Sequence, residues 1–391
     1  MSLLWWVPLG LAGLWGGVLV AFAWPLIARW REPVMRHPLL ILESDDWGAG
    51  PLEQADALDQ LAVMLDGLRD ESGQPALMTL GMVFEVPDGA RIAESGVTQY
   101  WGWALSDARF AAVRAALQKG VEGGVFAPQL HGQCHYWPDA VMAAARRDAQ
   151  VRAWLVDPGP ARTETLPSPL QSRWVDAAIL PSRELGPETI RQAVAGEAAS
   201  YRALFGESPR VAVATTFVWS EAVEAAWLAV GINTVITPGR RATCREASGQ
   251  PGCVDRHMLT GSRAPTGQLY LVRDVYFEPA LGHQPERLWE GLARRAAQGR
   301  PCLVEMHRFN FLDAPAASLS VLRTALQGAL VRQPTLRFIA PARLARAIHE
   351  RDPAWVETRL AVRLAAWRAR LAEIPRFARV ARLTGLGWML T

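Results

Sequence analysis

The sequence predicts an α/β fold in which parallel strands alternate with helices. Short apolar runs that end at glycine, proline or acidic residues recur along the chain, and stretches with apolar residues at helical spacing lie between them. Strand followed by helix over roughly 300 residues is typical of parallel βα units. This alternation predicts an open sheet or a barrel, with functional residues at the carboxyl ends of the strands.

The composition agrees with a large folded domain. The chain has 391 residues, 41 Lys+Arg against 38 Asp+Glu, and 50% hydrophobic residues. This length supports a core without disulfide or metal crosslinks. The net charge of +3 argues against a dedicated nucleic-acid binder. The composition therefore excludes disordered, fibrous and disulfide-scaffold proteins.

Residues 1–30 predict a membrane anchor. The segment from Leu3 to Ala28 carries no charged side chain, is long enough to span a bilayer, and has tryptophans at both ends, as aromatic belts do. A cleaved signal peptide would begin with a basic residue and would have a shorter apolar run. We therefore expect one transmembrane helix here.

The flanks of this segment predict its orientation. Arg29, Arg31 and Arg36 follow the apolar run, and no basic side chain precedes it. The positive-inside rule then places the rest of the protein in the cytoplasm. The even number of cysteines is weak evidence for disulfides, and the chain has no CxxC metal pattern. The cysteines are Cys134, Cys244, Cys253 and Cys302.

The periodicity of the chain predicts the elements of the fold in order. The predicted strands are short apolar runs and cover 39–42, 76–86, 125–130, 210–216, 234–237, 270–275, 302–306 and 336–339. The predicted helices show a 3.6-residue period and cover 52–69, 106–119, 187–204, 220–230, 285–298 and 317–332. Two stretches rich in Pro, Gly, Arg and Ser, 155–185 and 238–268, are predicted to be long loops near a site.

Residues 351–391 predict a basic amphipathic C-terminal helix. Its apolar residues step by three and four, which forms one stripe on a helix. That stripe consists of Leu360, Leu364, Trp367, Leu371 and Ile374. One interpretation is a helix packed on the main domain with a solvated arginine face. The other is a helix that lies on an anionic cytoplasmic leaflet beside the anchor.

Two adjacent carboxylates, Asp45 and Asp46, follow the first predicted strand. Neighbouring side chains point in different directions, so one carboxylate can bind a metal while the other acts as a base. An Asp pair in isolation is also common as a helix N-cap followed by a turn.

His131 and His135 form an HxxxH pair after the predicted strand 125–130. Two histidines at i and i+4 lie on one side of a helical turn and can bind one divalent ion. The pattern alone is a weak signal, but its position at a strand end favours a metal site. Together with Asp46, the pair would form a site with two histidines and one carboxylate that leaves positions open for water and substrate.

His307 follows the predicted strand 302–306 and would stand at its carboxyl end. There it could act as a general acid that faces the metal site across the mouth of the barrel. A single histidine in that position can also be structural.

Several segments, taken in their order along the chain, resemble the polysaccharide deacetylase superfamily of chitin-deacetylase-like carbohydrate esterases, and more narrowly a bacterial branch of it. These segments are ESDDWG (43–48), PDGARI (87–92), FAPQLHGQCHYW (126–137), TTFVWSEAVEAAWLAVGI (215–232), VRDVYFEP (272–279) and EMHRFNF (305–311). The resemblance implies a distorted (β/α) barrel, which we expect over residues 31–350.

The resemblance also implies roles for five side chains. Asp45 would be the catalytic base, and Asp46, His131 and His135 would hold Zn²⁺ or a similar divalent ion. His307 would protonate the leaving amine. The Arg-Pro motif of the family, whose arginine orients the base, has no clear counterpart, because TTFVWSE occupies that stretch. Two arginines, Arg273 and Arg308, are candidates to replace it.

The resulting functional hypothesis is a metal-dependent hydrolase at the inner membrane of a bacterium, with its catalytic domain in the cytoplasm. It would remove an N-acyl group, most simply acetyl, from an amino sugar in a glycan or a glycan precursor. Five residues are candidates to bind the substrate, although core packing is the common role of such aromatic residues. They are Trp47, Tyr136, Trp137, Trp219 and Arg308. Tyr276 is a further candidate.

Two other functions remain open at this point. A glycoside hydrolase on the same barrel would use Asp45 with Glu305 or Glu43 as paired carboxylates and would need no metal. A membrane-tethered, non-catalytic subunit of a glycan-assembly machine would use the barrel as a binding module. Bound zinc that is lost on mutation of His131 would argue against the first alternative, and the presence of all five candidate catalytic side chains argues against the second.

Overall fold

The computed structural model describes residues 6–387, and the centre of this part is a sheet of nine parallel strands. Eight of them follow the order β12-β9-β8-β5-β2-β1-β14-β13, and β15 pairs with the first residues of β1. The strands are β1 (Leu39–Gly48), β2 (Met78–Val83), β5 (Phe126–Gly132), β8 (Val211–Val213), β9 (Thr234–Thr237), β12 (Leu269–Val272), β13 (Val275–Tyr276), β14 (Cys302–His307) and β15 (Arg337–Phe338).

Short antiparallel pairs lie outside this sheet. They are β3 (Glu85–Pro87) with β4 (Gly102–Ala104), β6 (Val175–Asp176) with β7 (Arg183–Glu184), and β10 (Arg240–Arg245) with β11 (Pro251–His257). The last pair corrects the prediction of an irregular loop over 238–268. The structure also joins Cys244 and Cys253 of this hairpin in a disulfide, with 5.7 Å between their Cα atoms.

The sheet curls into a barrel because its two edge strands are consecutive in the chain. Strand β12 pairs with β9, whereas β13 pairs with β14. Only Arg273 and Asp274 separate them, so the chain passes there from one edge of the sheet to the other. The sequence prediction of one strand over 270–275 therefore covers two strands. The α/β barrel that the sequence predicts is the observed architecture, in the form of a curled parallel sheet with helices around it.

The helices cover the outer face of the sheet. Their ranges are α1 (Trp6–Ala21), α2 (Ala23–Arg31), α3 (Gln54–Asp66), α4 (Gly89–Glu94), α5 (Ala111–Glu122), α6 (Pro138–Ala145), α7 (Ala149–Leu155), α8 (Pro187–Phe205), α9 (Glu221–Ala229), α10 (Pro285–Ala297), α11 (Asn310–Asp313), α12 (Pro315–Arg332), α13 (Pro341–Glu350), α14 (Leu360–Leu371) and α15 (Pro375–Leu383). Helices α3, α5, α8, α9, α10 and α12 lie near the predicted ranges. Their apolar faces bury residues such as Leu58, Leu288 and Leu322 against the strands.

The central strands are apolar on both sides because the sheet is covered on both sides. All four residues from Leu39 to Leu42 are fully buried. Such continuous apolar runs are typical of parallel strands inside α/β proteins. Strand β1 is longer than the predicted 39–42, since it continues through the polar residues Glu43 to Gly48.

The structure does not show the predicted single transmembrane helix in the described residues. Among them, no single helix is long and apolar enough to cross a membrane, although Leu9–Ala21 and Ala23–Arg31, bent by 65°, have the length and composition of a broken span together. Pro25 explains the bend, because it has no amide hydrogen to donate to the carbonyl of Ala21. The part of the prediction that covers residues 1–5 lies outside the described residues.

The C-terminal segment is two helices rather than one, because Pro375 begins a new helix, α15. The Trp367 indole donates a hydrogen bond to the Leu26 carbonyl (3.0 Å), and Phe377 packs edge-on against Phe22 (5.4 Å). Residues of the predicted apolar stripe thus pack on α1 and α2. We call α1, α2, α14 and α15 the basal helix cluster.

This cluster lies at the amino end of the barrel strands. The buried guanidinium of Arg370 donates to main-chain carbonyls of Glu32 (3.0 Å) and Gln298 (2.8 Å). Arg300, two residues before β14, forms two 2.7 Å bonds with the Glu32 carboxylate. The basal helix cluster and the carboxyl ends of the strands are therefore at opposite ends of the barrel.

Candidate active site and metal centre

A bulge in β1 places both aspartates at the mouth of the barrel. The register between β1 and β2 shifts between Ser44 and Trp47, and Asp46 has a φ of +76°. In a regular strand, consecutive side chains point to opposite faces. A bulge adds a residue and turns the following side chain. Asp45 and Asp46 therefore both line the same pocket.

Asp46 lies between two histidines. Its Oδ1 is 3.5 Å from Nε2 of His131 and 3.1 Å from Nε2 of His135. One ligand atom from each of the three residues lies within 4.8 Å of the others, and all three side chains are buried. Two imidazole nitrogens and one carboxylate oxygen are a common ligand set for divalent transition metals.

The hydrogen bonds around these side chains show that they fit a cation. His131 donates from Nδ1 to the carbonyl of Val213 (3.0 Å), which leaves a lone pair on Nε2. Both this Nε2 and Oδ1 of Asp46 are buried without a hydrogen-bond partner. Buried polar atoms of this kind are costly unless a partner is present. The three side chains are therefore suited to hold a divalent ion between them.

The charges of His135 and Asp46 agree with a metal site. Burial lowers the pKa of His135 to about 4, so its imidazole is neutral at physiological pH. Burial works against the ionisation of Asp46, but the neighbouring histidines outweigh it and lower the pKa of this carboxyl group. A neutral imidazole and an ionised carboxylate are the forms that bind metal.

The i and i+4 spacing predicted that the HxxxH pair lies on a helical turn. The structure does not place it on a helix. His131 is near the end of β5, and His135 lies in the loop that follows. Gly132, with a φ of +133°, lets the chain turn between them, since a Cβ there would lie 2.8 Å from the carbonyl oxygen of Cys134. The two rings meet edge-on with 4.9 Å between their centres.

Asp45 is held by Arg273. This is one of the two arginines that the sequence analysis named as candidates to orient the base. The guanidinium of Arg273 donates to both carboxylate oxygens of Asp45 (2.6 and 2.9 Å) and to Glu43 (2.6 Å). Burial works against ionisation of Asp45, but Arg273 outweighs it and lowers the pKa of Asp45 to about 2. Arg273 thus keeps this candidate base ionised.

A glycine makes room for this pair. Gly81 in β2 lies beside Asp45, and a Cβ on Gly81 would be 2.3 Å from the Asp45 Oδ1 atom. Any larger residue at this position would displace the carboxylate from Arg273.

His307 stands opposite, on the neighbouring strand β14. Its Cα is the register partner of Asp45. Its Nδ1 lies 2.6 Å from Oε1 of the fully buried Glu278, and Asn310 donates to the same carboxylate. Burial disfavours the charged imidazole, but Glu278 outweighs it and raises the pKa of His307 to about 10. His307 is therefore protonated at neutral pH and can donate a proton.

The candidate base Asp45, the candidate acid His307 and the metal-site residues meet in one open pocket with a volume of about 260 Å³. Its walls combine the metal-site residues with aromatic and carboxylate side chains. The lining residues are Asp45, Asp46, His131, His135, Glu164, Gln171, Ala214, Thr216, Phe217, Tyr276, Glu305, His307 and Phe309.

The predicted substrate-binding residues are in other places. Trp47, Tyr136 and Trp219 are fully buried. Their polar atoms are hydrogen-bonded inside the protein, for example the Trp47 indole to Ser44 (2.9 Å). Trp137 is partly buried and packs against a side cluster rather than the pocket. These aromatic residues pack in the protein interior, which was the alternative interpretation of the sequence.

Arg308 is also buried and does not line the pocket. Its guanidinium binds the Glu164 carboxylate (2.9 Å) and is close to Gly50, where a Cβ would lie 2.4 Å from it. Arg308 therefore holds Glu164, which does line the pocket. Of the aromatic candidates, Tyr276 is the one that the structure places at the pocket, with 39% of its surface exposed.

Sequence reasoning missed Glu278, although it belongs to the VRDVYFEP segment. A carboxylate three residues after the predicted strand 270–275 was the available signal. Reasoning also missed Thr216 and Phe217, which both have positive φ angles (52° and 56°). Such backbone conformations are rare for residues with a Cβ and cluster at functional sites.

Comparisons with known proteins identify solved structures of similar fold. No family model and no curated protein matches the chain. A family 4 carbohydrate esterase from Streptomyces lividans, in complex with acetate, is 11% identical, with 81% of this chain and 96% of that chain covered and a TM-score of 0.34. A protein from Mycobacterium smegmatis described as a polysaccharide deacetylase is 10% identical, with 84% and 97% covered and a TM-score of 0.42.

A third match is a CE4 family pseudoenzyme from Bacillus anthracis, 9% identical, with 78% of this chain and 64% of that chain covered and a TM-score of 0.36. These three proteins fall in the superfamily that the sequence resembles. Likeness of fold does not by itself carry an activity with it. With identities near 10% and TM-scores below 0.5, the observations that bear on function are the side chains and contacts described above.

The metal site makes a direct prediction. We expect about one divalent ion per chain in the purified protein, and at least about a tenfold lower content after His131→Ala or Asp46→Ala, because each change removes a ligand. Metal analysis by mass spectrometry measures this. The control is His257→Ala, which removes an exposed histidine of β11. Equal metal content in all four proteins would contradict the site.

Proposed function

We propose that the protein is a metal-dependent hydrolase that removes an N-acyl group, most simply acetyl, from an amino sugar. The observation that carries this proposal is the arrangement in one pocket of a metal-type cluster, an ionised carboxylate and a protonated histidine. The cluster is Asp46, His131 and His135, and the two other groups are Asp45 and His307. Hydrolysis of an amide needs a base for water and an acid for the leaving nitrogen.

A divalent ion in the cluster, with Zn²⁺ suited to the ligand set, would polarise the acyl carbonyl oxygen. The protein supplies the other functions. Asp45, ionised through Arg273, accepts a proton from the attacking water. His307 donates its proton to the nitrogen as the carbon–nitrogen bond breaks, and Glu278 stabilises the imidazolium form before that step.

The pocket walls support a sugar as the substrate. The rings of Tyr276 and Phe309 flank His307, with 6.4 and 5.9 Å between ring centres. Aromatic faces provide apolar contact for a sugar ring, and carboxylates accept hydrogen bonds from its hydroxyl groups. Glu164 and Glu305 line the same pocket and are available for that role.

The glycoside hydrolase alternative is less well supported. It requires two carboxylates that reach the substrate, but Glu43 is fully buried beneath Arg273. Both carboxylate oxygens of Asp45 accept hydrogen bonds from the same guanidinium. The alternative also leaves the unpartnered atoms of Asp46 and His131 without a role. Asp45 with Glu305 is the pair that remains for it.

The proposal includes attachment to the bacterial inner membrane through residues 1–30. Helices α1 and α2 expose large apolar side chains, of which Val20 and Trp24 are 77% and 80% exposed. The arginines after this segment favour a cytoplasmic barrel. The Cys244–Cys253 disulfide is the observation against this orientation, because disulfides persist mainly in oxidising compartments.

Activity tests the proposed reaction. With oligomers of N-acetylglucosamine as substrate, we expect the wild-type protein to release acetate. Asp45→Asn and His307→Gln should lower kcat by about 10²- to 10⁴-fold, since each removes one proton-transfer group. Both variants should keep the metal, which separates loss of chemistry from loss of the ion. Reducing-end release without acetate would instead support the glycoside hydrolase.

The pH profile tests the Glu278–His307 pair. Glu278→Gln removes the carboxylate that raises the pKa of His307, while the burial that lowers it remains. His307 must be protonated to act, so the alkaline limb of kcat should move down by about one pH unit or more. Glu286→Gln, at the exposed start of α10, is the matched control. An unmoved limb would show that His307 is not the acid.

A fusion tests the orientation. Alkaline phosphatase placed after Thr391 should be inactive in cells, because this reporter needs the oxidising side of the membrane. All four cysteines should then react with a thiol reagent after acid quenching of intact cells. An active fusion together with protected Cys244 and Cys253 would place the barrel outside the cytoplasm.

A further inference from the structure

A second concave site lies at the amino end of the barrel, far from the catalytic mouth. Its volume is about 560 Å³, and it lies between α13 and the starts of β8, β9 and β12. Five of its lining residues are basic or imidazole side chains: Arg210, Arg263, Arg343, Arg346 and His349. No carboxylate is among the described residues that line it. We call it the basal cavity.

The positive charge of the basal cavity is almost uncompensated. Within residues 6–387, Arg210, Arg263 and Arg343 take part in no ion pair, and Arg346 meets Glu350 only at 4.0 Å on the exposed surface. An exposed ion pair of this kind is weak and compensates little of the arginine charge. The whole chain has a net charge of only +3. Four guanidinium groups in one concavity therefore form a strong local attraction for an anion.

An apolar groove lies beside this cavity. Its volume is about 490 Å³, and it lies between α2 and the loop before β12. Trp24, Ile27 and Ala28 form its apolar wall, and Arg263 lines both the groove and the basal cavity. The two sites are therefore neighbours and share one arginine. A ligand that fills both must have an anionic group at one end and an apolar chain at the other.

We propose that the basal cavity and the groove together bind a phospholipid whose headgroup carries a net negative charge. The planar guanidinium groups suit phosphate oxygens, which they can bind with two parallel hydrogen bonds. Basic pockets beside membrane segments are typical sites for acidic lipid headgroups. The acyl chain lies against Trp24 and Ile27. The inference adds a ligand to the proposed membrane attachment and does not depend on the proposed deacylase reaction.

Binding measurements on the full chain in a neutral detergent test this proposal. The probes are dioctanoyl phosphatidylglycerol, dioctanoyl phosphatidylcholine and inorganic phosphate, and the binding of each is measured by calorimetry. We expect phosphatidylglycerol to bind the tightest. The double variant Arg343→Gln/Arg346→Gln should raise the Kd for phosphatidylglycerol by roughly 10- to 30-fold, since two headgroup contacts are lost.

Two further variants keep the test decisive. Arg323→Gln, an exposed arginine of α12 outside both sites, should leave the Kd unchanged. Arg210→Gln changes the cavity from the loop before β8, and it should weaken binding even if the double variant fails to fold. Equal affinity for phosphatidylcholine, or an unchanged Kd in both cavity variants, would overturn the proposal.

Inorganic phosphate distinguishes the two sources of the anion. If phosphate alone binds as tightly as phosphatidylglycerol, the groove contributes nothing and the lipid assignment is wrong. Since the readout is binding, an inactive deacylase would leave the outcome unaffected. If the protein binds phosphatidylglycerol in detergent but does not bind phospholipid vesicles, this result would count against the membrane anchor and not against the lipid site.

Discussion

The site depends on one buried interaction, the contact of Arg273 with Asp45 and Glu43. Burying ions is expensive, and such a group persists only when the geometry is good. Two carboxylates share one guanidinium, and Asp45 receives two of the three hydrogen bonds. Burial raises the pKa of Glu43 to about 7 despite Arg273. The deeper carboxyl group therefore takes up the proton more easily, and Asp45 remains ionised at the pocket.

On the opposite wall of the pocket, a buried partner of opposite charge again stabilises the charged form of a side chain. Here the stabilised form is the protonated one. Glu278 is buried and faces His307, so it stabilises the protonated imidazole, as Arg273 stabilises the ionised Asp45. Two buried partners thus set one group as a base and the other as an acid at the same pH. Asp45 and His307 are register partners on adjacent parallel strands, so the pairing of β1 with β14 fixes their separation. The fold itself positions the acid and the base.

The sequence predicts those site residues whose role follows from their position at the end of a strand. The candidate base, acid and metal ligands all come at the ends of apolar runs, which parallel strands bring to one end of a barrel. The two partners that set protonation could not be assigned, because their roles depend on distant pairing. Arg273 reaches Asp45 across 228 residues only because β12 and β13 change neighbours there. Trp47 and Tyr136 share segments with the site, but local strand geometry turns them into the core.

The two ends of the barrel separate the proposed membrane attachment from the proposed chemistry. The basal helix cluster and the basal cavity lie where the strands begin, and the catalytic pocket lies where they end. From Leu39 to Asp45 a strand covers roughly 20 Å at about 3.3 Å per residue. A headgroup at the membrane surface would lie beyond the reach of His307 if the basal helices bind that surface. The geometry then favours a glycan that extends away from the bilayer, or a soluble precursor, over a sugar attached directly to a lipid.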